Sequence, residues 1–84
     1  PTPSGEFAGE DRLPNPSTLT HALTVLRGGG TKVLVCFGGN GRSSGFSAMA
    51  ASSAARAKFV RNVVALVGRG FDGVDLNWEY PGLF

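Results

Sequence analysis

The sequence predicts an α/β protein built on a parallel sheet, and two observations carry that expectation. Apolar patterns of helical and strand length alternate in the order helix, strand, helix, strand, joined by short glycine-bounded links. The first strand is a continuous apolar run (TKVLVCF, residues 31–37), as expected when both faces of a strand are covered. Composition agrees: 42% hydrophobic and 17% charged residues is globular rather than disordered, while 13 glycines and 5 prolines among 84 residues supply frequent turns.

Residues 1–15 carry three prolines, two glycines and no periodicity, and read as loop. Leu19, Ala22, Leu23 and Leu26 then fall at helical spacing, with Asn15 as N-cap, Pro16 in the first turn and Gly28 as stop. The strand at 31–37 is followed by a glycine-rich loop, residues 38–45 (GGNGRSSG), and a short apolar patch at 46–51. Ser52 or Ser53 caps a second helix running to about Val67. Its apolar stripe is Phe59, Val60, Val63, Val64 and Val67, and Arg56, Lys58, Arg61 and Asn62 form a solvated face. Gly68 and Gly70 end this helix. A second strand covers residues 73–78, and Pro81-Gly82 forbids its continuation.

Two strands and two helices cannot enclose a core, so the chain is expected to be part of a larger α/β domain and marginal or unfolded alone. The single cysteine excludes a disulfide framework or a cysteine-rich zinc site. No stretch approaches the ~20 apolar residues of a membrane span, and residues 1–20 lack a signal peptide's apolar region. The formal charge is +2, but the eight basic residues form no run or aromatic-interleaved stripe, so no nucleic-acid partner is expected.

Chemistry is concentrated in residues 71–81 (FDGVDLNWEYP). Strand alternation puts Asp75, Asn77 and Glu79 on one side and Val74, Leu76 and Trp78 on the other. Placing acidic and amide groups in a row inside a fold is unfavourable unless they are hydrogen-bonded or serve a reaction. Glu79 comes last, at the end of the strand where parallel α/β folds carry their active sites. Crowded acidic neighbours raise a carboxyl's pKa, which suits a general acid. The bland alternative is an edge strand whose polar face meets solvent, and the apolar flanks together with the Trp78-Glu79-Tyr80 end argue against it. A hard-metal site on Asp75 and Glu79 lacks a nearby histidine, and Gly73 is misplaced for a calcium loop. The loop after the first strand has G-x-G-x-x-x-G spacing, not the G-x-G-x-x-G of a dinucleotide turn, and Lys32 after three glycines is not a phosphate loop. No cofactor is expected.

The run Asp72-Gly73-Val74-Asp75-Leu76-Asn77-Trp78-Glu79-Tyr80-Pro81 resembles the D-G-x-D-x-D-W-E-Y-P signature of family 18 glycoside hydrolases, the chitinases and their relatives, departing from it only at Asn77. Upstream, KVLVCFGG (residues 32–39) resembles the family's strand ending in S-x-G-G, with Cys36 in the serine's place. The resemblance covers about residues 19–82. It implies a (β/α)8 TIM barrel, of which this chain would supply about strands 3 and 4 with the helix before each. It also implies a chitinase acting on chitin or chitooligosaccharides with endo-type, retaining, substrate-assisted cleavage of β-1,4 links between N-acetylglucosamine units.

By position Glu79 would be the general acid and base, Asn77 would hold the substrate's acetamido group, and Asp75 would tune both. Asp72, Tyr80, Cys36, Gly38 and Gly39 would support the site. Asn77 lacks the charge of the family's aspartate, which implies weaker catalysis and, relative to an Asn77→Asp variant, a lower pH for the limb set by the acid. Asn40 stands where many relatives carry an aromatic. Cys36 lacks a histidine to activate it, because the only one, His21, belongs to a helix, where it is a surface or packing residue. Secretion is usual in the family. The alternative reading is a non-catalytic chitin-binding lectin on the same fold; such relatives usually lose the terminal glutamate, which is present here.

Overall fold

The computed structural model describes residues 1–83. A 3-10 turn at Glu10–Arg12 precedes helix α1 (Pro16–Gly28), strand β1 (Leu34–Gly38), helices α2 (Phe46–Ala51) and α3 (Ser53–Val67), and strand β2 (Gly73–Asn77). The two strands pair in parallel, so the expected order of elements is present.

The helix boundaries follow the expected chemistry. Asn15 accepts the Thr18 N–H through Oδ1 at 2.9 Å, and Pro16 occupies the first turn, where an N–H would have no partner. At the other end Thr31 N–H reaches the Leu26 carbonyl and Gly30 N–H reaches that of Arg27, with Gly30 left-handed at φ 82°. This is a Schellman closure. Ser52 caps α3 through Oγ, which accepts the Ala55 N–H at 3.2 Å. The same residue explains why 46–51 is a separate helix. Ser52 is extended at φ −104°, ψ 122° to make that cap, which breaks α2 from α3.

Both strands are shorter than their apolar runs, for a common reason. Val33 gives its N–H to Asp72 Oδ2 at 2.8 Å instead of to a strand, so the ladder starts at Leu34. Beyond Asn77 the Glu79 N–H goes to Ser43 Oγ, so the ladder stops before Trp78.

The helices pack on one face of the sheet. Leu19 and Leu23 of α1, Val35 of β1, Leu66 of α3 and Phe71 form one buried cluster; Phe46 and Met49 of α2 with Ala55 and Phe59 of α3 form another. The buried stripe of α3 keeps Phe59 and, half-buried, Val63 and Val67 of the expected one, but departs from it at Val60 and Val64. Val60 and Val64 are 58% and 66% exposed, whereas Ala55, Phe59 and Leu66 are buried. The amino-terminal segment covers part of the buried face. Phe7 sits 5.1 Å from Phe37 and 6.1 Å from Phe59 by ring centroid. Gly5 lies so close to α3 that a Cβ there would be 2.3 Å from the Ala55 carbonyl oxygen. Asn62 donates to the Gly5 carbonyl and the half-exposed Lys58 pairs with Glu6, so both contact the segment. Arg56, Arg61 and His21 are exposed, as expected of surface residues.

Leu34 and Leu76, one on each face of the sheet, are 56% and 57% exposed. Strand leucines left this open on both faces mean that the 84 residues alone bury too little apolar surface for a cooperative fold. The isolated chain is predicted to bind the dye ANS and to lose far-UV circular dichroism gradually on heating. A sharp, reversible two-state melt without dye binding would contradict this.

Candidate active site

The register of the sheet builds the site. Cys36 lies opposite Asp75, Phe37 opposite Leu76 and Gly38 opposite Asn77. Alternation then puts Cys36, Asp75 and Asn77 on one face, and Val35, Phe37, Val74 and Trp78 on the face that meets the helices. Trp78 stacks on Phe46 at 5.2 Å and 20° between ring planes, which fixes the chain just before Glu79. Glu79 is half-buried, joined to an exposed Tyr80 through a cis peptide bond.

Gly38 allows the close approach that the register demands, and Gly39 the left-handed turn that follows it. Both have positive φ, at 94° and 107°. A Cβ on Gly38 would lie 2.3 Å from the Asn77 carbonyl oxygen and 2.6 Å from the Phe46 ring, and one on Gly39 would sit 3.7 Å from the Asn77 side-chain nitrogen. The backbone of the turn thus passes directly beside Asn77, with Gly39 N–H donating to the Asn77 carbonyl at 2.7 Å.

The glycine-rich loop also delivers a residue that sequence reasoning missed. Ser43 is 2% exposed. Its hydroxyl accepts the Glu79 N–H at 3.0 Å and donates to the Gly39 carbonyl at 2.9 Å, with the Asn77 carbonyl at 3.4 Å. Nothing in GGNGRSSG distinguishes Ser43 from Ser44; the contact comes from tertiary structure.

Two expectations change. The polar row is not buried by residues 1–83. Asp75 and Asn77 are exposed, because a two-stranded sheet has no further strands to face them. Asp72 lies just before β2, at the end of the strand opposite Glu79. There it accepts the Val33 N–H, pairs with Arg27 Nε at 3.5 Å, and so clasps the start of both strands. A cleft of about 420 Å³ between Phe7, Arg12 and the end of β1 includes neither Asp75, Asn77 nor Glu79. Among the described residues no three His, Cys, Asp or Glu side chains converge as a metal would require.

Cys36 reports on the carboxylate face. Partial removal from water, the hydrogen bond it makes with Asp75 and that carboxylate's negative charge together push its thiol above the ordinary value. Although the residue is exposed, it is predicted to alkylate slowly with iodoacetamide at about pH 8, because the thiolate is the reactive form. Asp75→Asn removes the charge and lowers the thiol pKa, so the rate should rise several-fold. An unchanged rate would place Asp75 away from Cys36.

The model of "Glycosyl hydrolases family 18" matches residues 17–83, and no solved structure matches the chain. A "Probable endochitinase" of Caenorhabditis elegans is 46% identical over 78 residues, 90% of this chain and 12% of its own length. "Probable chitinase 10" of Drosophila melanogaster is 40% identical over 62 residues, 70% of this chain and 3% of its own. An "Endochitinase" of Manduca sexta is 45% identical over 53 residues, covering 61% and 10%. The chain spans about an eighth or less of each of these relatives. A match over most of its own residues, which takes in Asp75, Asn77 and Glu79, decides the family: the chain belongs to the glycosyl hydrolases of family 18.

Proposed function

We propose that the chain is about the third and fourth strands, with their preceding helices, of a (β/α)8 barrel, and that the whole protein is a secreted endo-acting chitinase. The observation that carries this reading is the end of β2, where Asp75 and Asn77 share one face and Glu79 leaves the strand at its C-terminal end. Active sites of TIM barrels gather at that end. The remaining strands would enclose the face that Asp75, Asn77 and Leu34 leave open. The names of the relatives, chitinase and endochitinase, support chitin or chitooligosaccharides as substrate.

In this reading Glu79 gives its proton to the glycosidic oxygen as the bond from the anomeric carbon breaks. The substrate's own acetamido oxygen bonds to that carbon, forming an oxazolinium ion, and no enzyme nucleophile takes part. Water then attacks the same carbon, Glu79 takes the water's proton, and the ring opens with configuration retained. Asn77 accepts the acetamido N–H through its amide oxygen and aims the nucleophilic oxygen. It brings no charge to the developing cation, so the negative charge behind the site rests on Asp75, held by the Cys36 thiol.

Turnover of a chitooligosaccharide by the full-length protein tests the proposal. Glu79→Gln should lower kcat by roughly 10²–10⁴-fold with binding retained, and wild-type turnover in that variant would contradict the assignment. Binding without turnover in either protein would select a chitin-binding lectin, the reading that Asn77 favours. Asn77→Asp should raise kcat by ~10–10³-fold and move the pH–rate limb set by the acid to higher pH. Superimposable profiles for the two proteins would refute the role given to Asn77.

A further inference from the structure

Beyond the end of β2 at Asn77, the Glu79 N–H is held by a side chain, the Ser43 hydroxyl. Ser43 has one hydroxyl proton and two lone pairs, and the structure uses both capacities. The proton goes to the Gly39 carbonyl at 2.9 Å, and a lone pair takes the Glu79 N–H at 3.0 Å. Gly39 in turn donates its N–H to Asn77 at 2.7 Å. The loop after β1 and the end of β2 are thereby closed into one hydrogen-bonded ring that passes through Ser43, Gly39, Asn77 and Glu79.

From this ring we infer that Ser43 is a positioning residue, fixing the backbone from which the Glu79 carboxyl projects and keeping it in register with Asn77. The inference rests on the reading of Glu79 as acid and base. Two features separate it from ordinary packing. Ser43 is the most deeply buried polar residue of the described chain, yet its hydroxyl contacts the two segments that carry the site rather than the core of α1 and α3. The ring also spans both elements of the site. Removing the hydroxyl leaves the Glu79 N–H and the Gly39 turn without their shared partner, so the acid can shift relative to Asn77. A displacement near 1 Å is enough to lower turnover ~10²-fold without touching the substrate's other contacts.

The test uses the full-length enzyme and a chitooligosaccharide. Ser43→Ala should lower kcat roughly 10–100-fold while KM stays within about twofold. Ser52→Ala, which removes only the α3 cap, should lower the melting temperature and leave kcat unchanged. If Ser43→Ala does not fold, Ser43→Cys, which keeps a weaker donor and acceptor, should still lower kcat at constant KM. Wild-type kcat in the folded Ser43 variant, alongside loss of turnover in Glu79→Gln, would overturn the role of Ser43 alone. Retained turnover in Glu79→Gln would instead overturn the reading beneath it. An equal kcat loss in Ser52→Ala would reduce Ser43 to general stability and overturn the inference.

Discussion

The parallel register of β1 on β2 is the constraint on which the rest of the structure depends. Because side chains alternate along a strand, moving β2 by one residue would send Asp75 and Asn77 into the helix-facing core and turn Val74 and Trp78 outward. Several separate contacts hold the register. Asp72 and Arg27 clasp its beginning, and Val35 and Val74 are packed in the same apolar cluster. At the far end Gly38 lets the turn approach Asn77 more closely than any side chain would permit. The apolar clusters under one face and the polar residues on the other are thus two consequences of one alignment.

That alignment also distributes charge. The strand's polar face carries one carboxylate, Asp75, where the family pattern has two, and the neutral Asn77 stands between Asp75 and Glu79. Asp75 is paired across the ladder with a thiol rather than a hydroxyl, a weaker donor whose own proton is held more tightly in return. In the proposed mechanism, stabilisation of positive charge at the substrate would therefore come from a more distant carboxylate, Asp75, while Asn77 would still steer the acetamido group. Ser43 adds a backbone anchor at the position where the ladder can no longer hold the chain.

Much of this was legible in the residues because local chemistry dictated it. Asn15-Pro16 and Ser52 each satisfy helix-end N–H groups within a few residues, so the helix starts could be read directly. The alternation that puts Asp75 and Asn77 on one face needed only strand geometry. What was not legible involves partners distant in sequence. Val60 and Val64 belong to an evident apolar stripe but stay exposed, and part of the buried face of α3 is covered by Phe7 and Gly5, from a segment with no periodicity at all. Asp72 reads as part of an acidic motif and proves to be a clasp at the opposite end of the strand. Ser43 looks like any loop serine until the fold brings it to Glu79, 36 residues away.

The most direct measurement is a crystal structure of the full-length Glu79→Gln protein with a bound N-acetylglucosamine oligomer. The account predicts the sugar across the C-terminal end of β2, with the Asn77 amide oxygen within hydrogen-bonding distance of an acetamido N–H and the substituted side chain at position 79 beside the glycosidic oxygen. A sugar bound elsewhere, or an acetamido group turned away from Asn77, would contradict it.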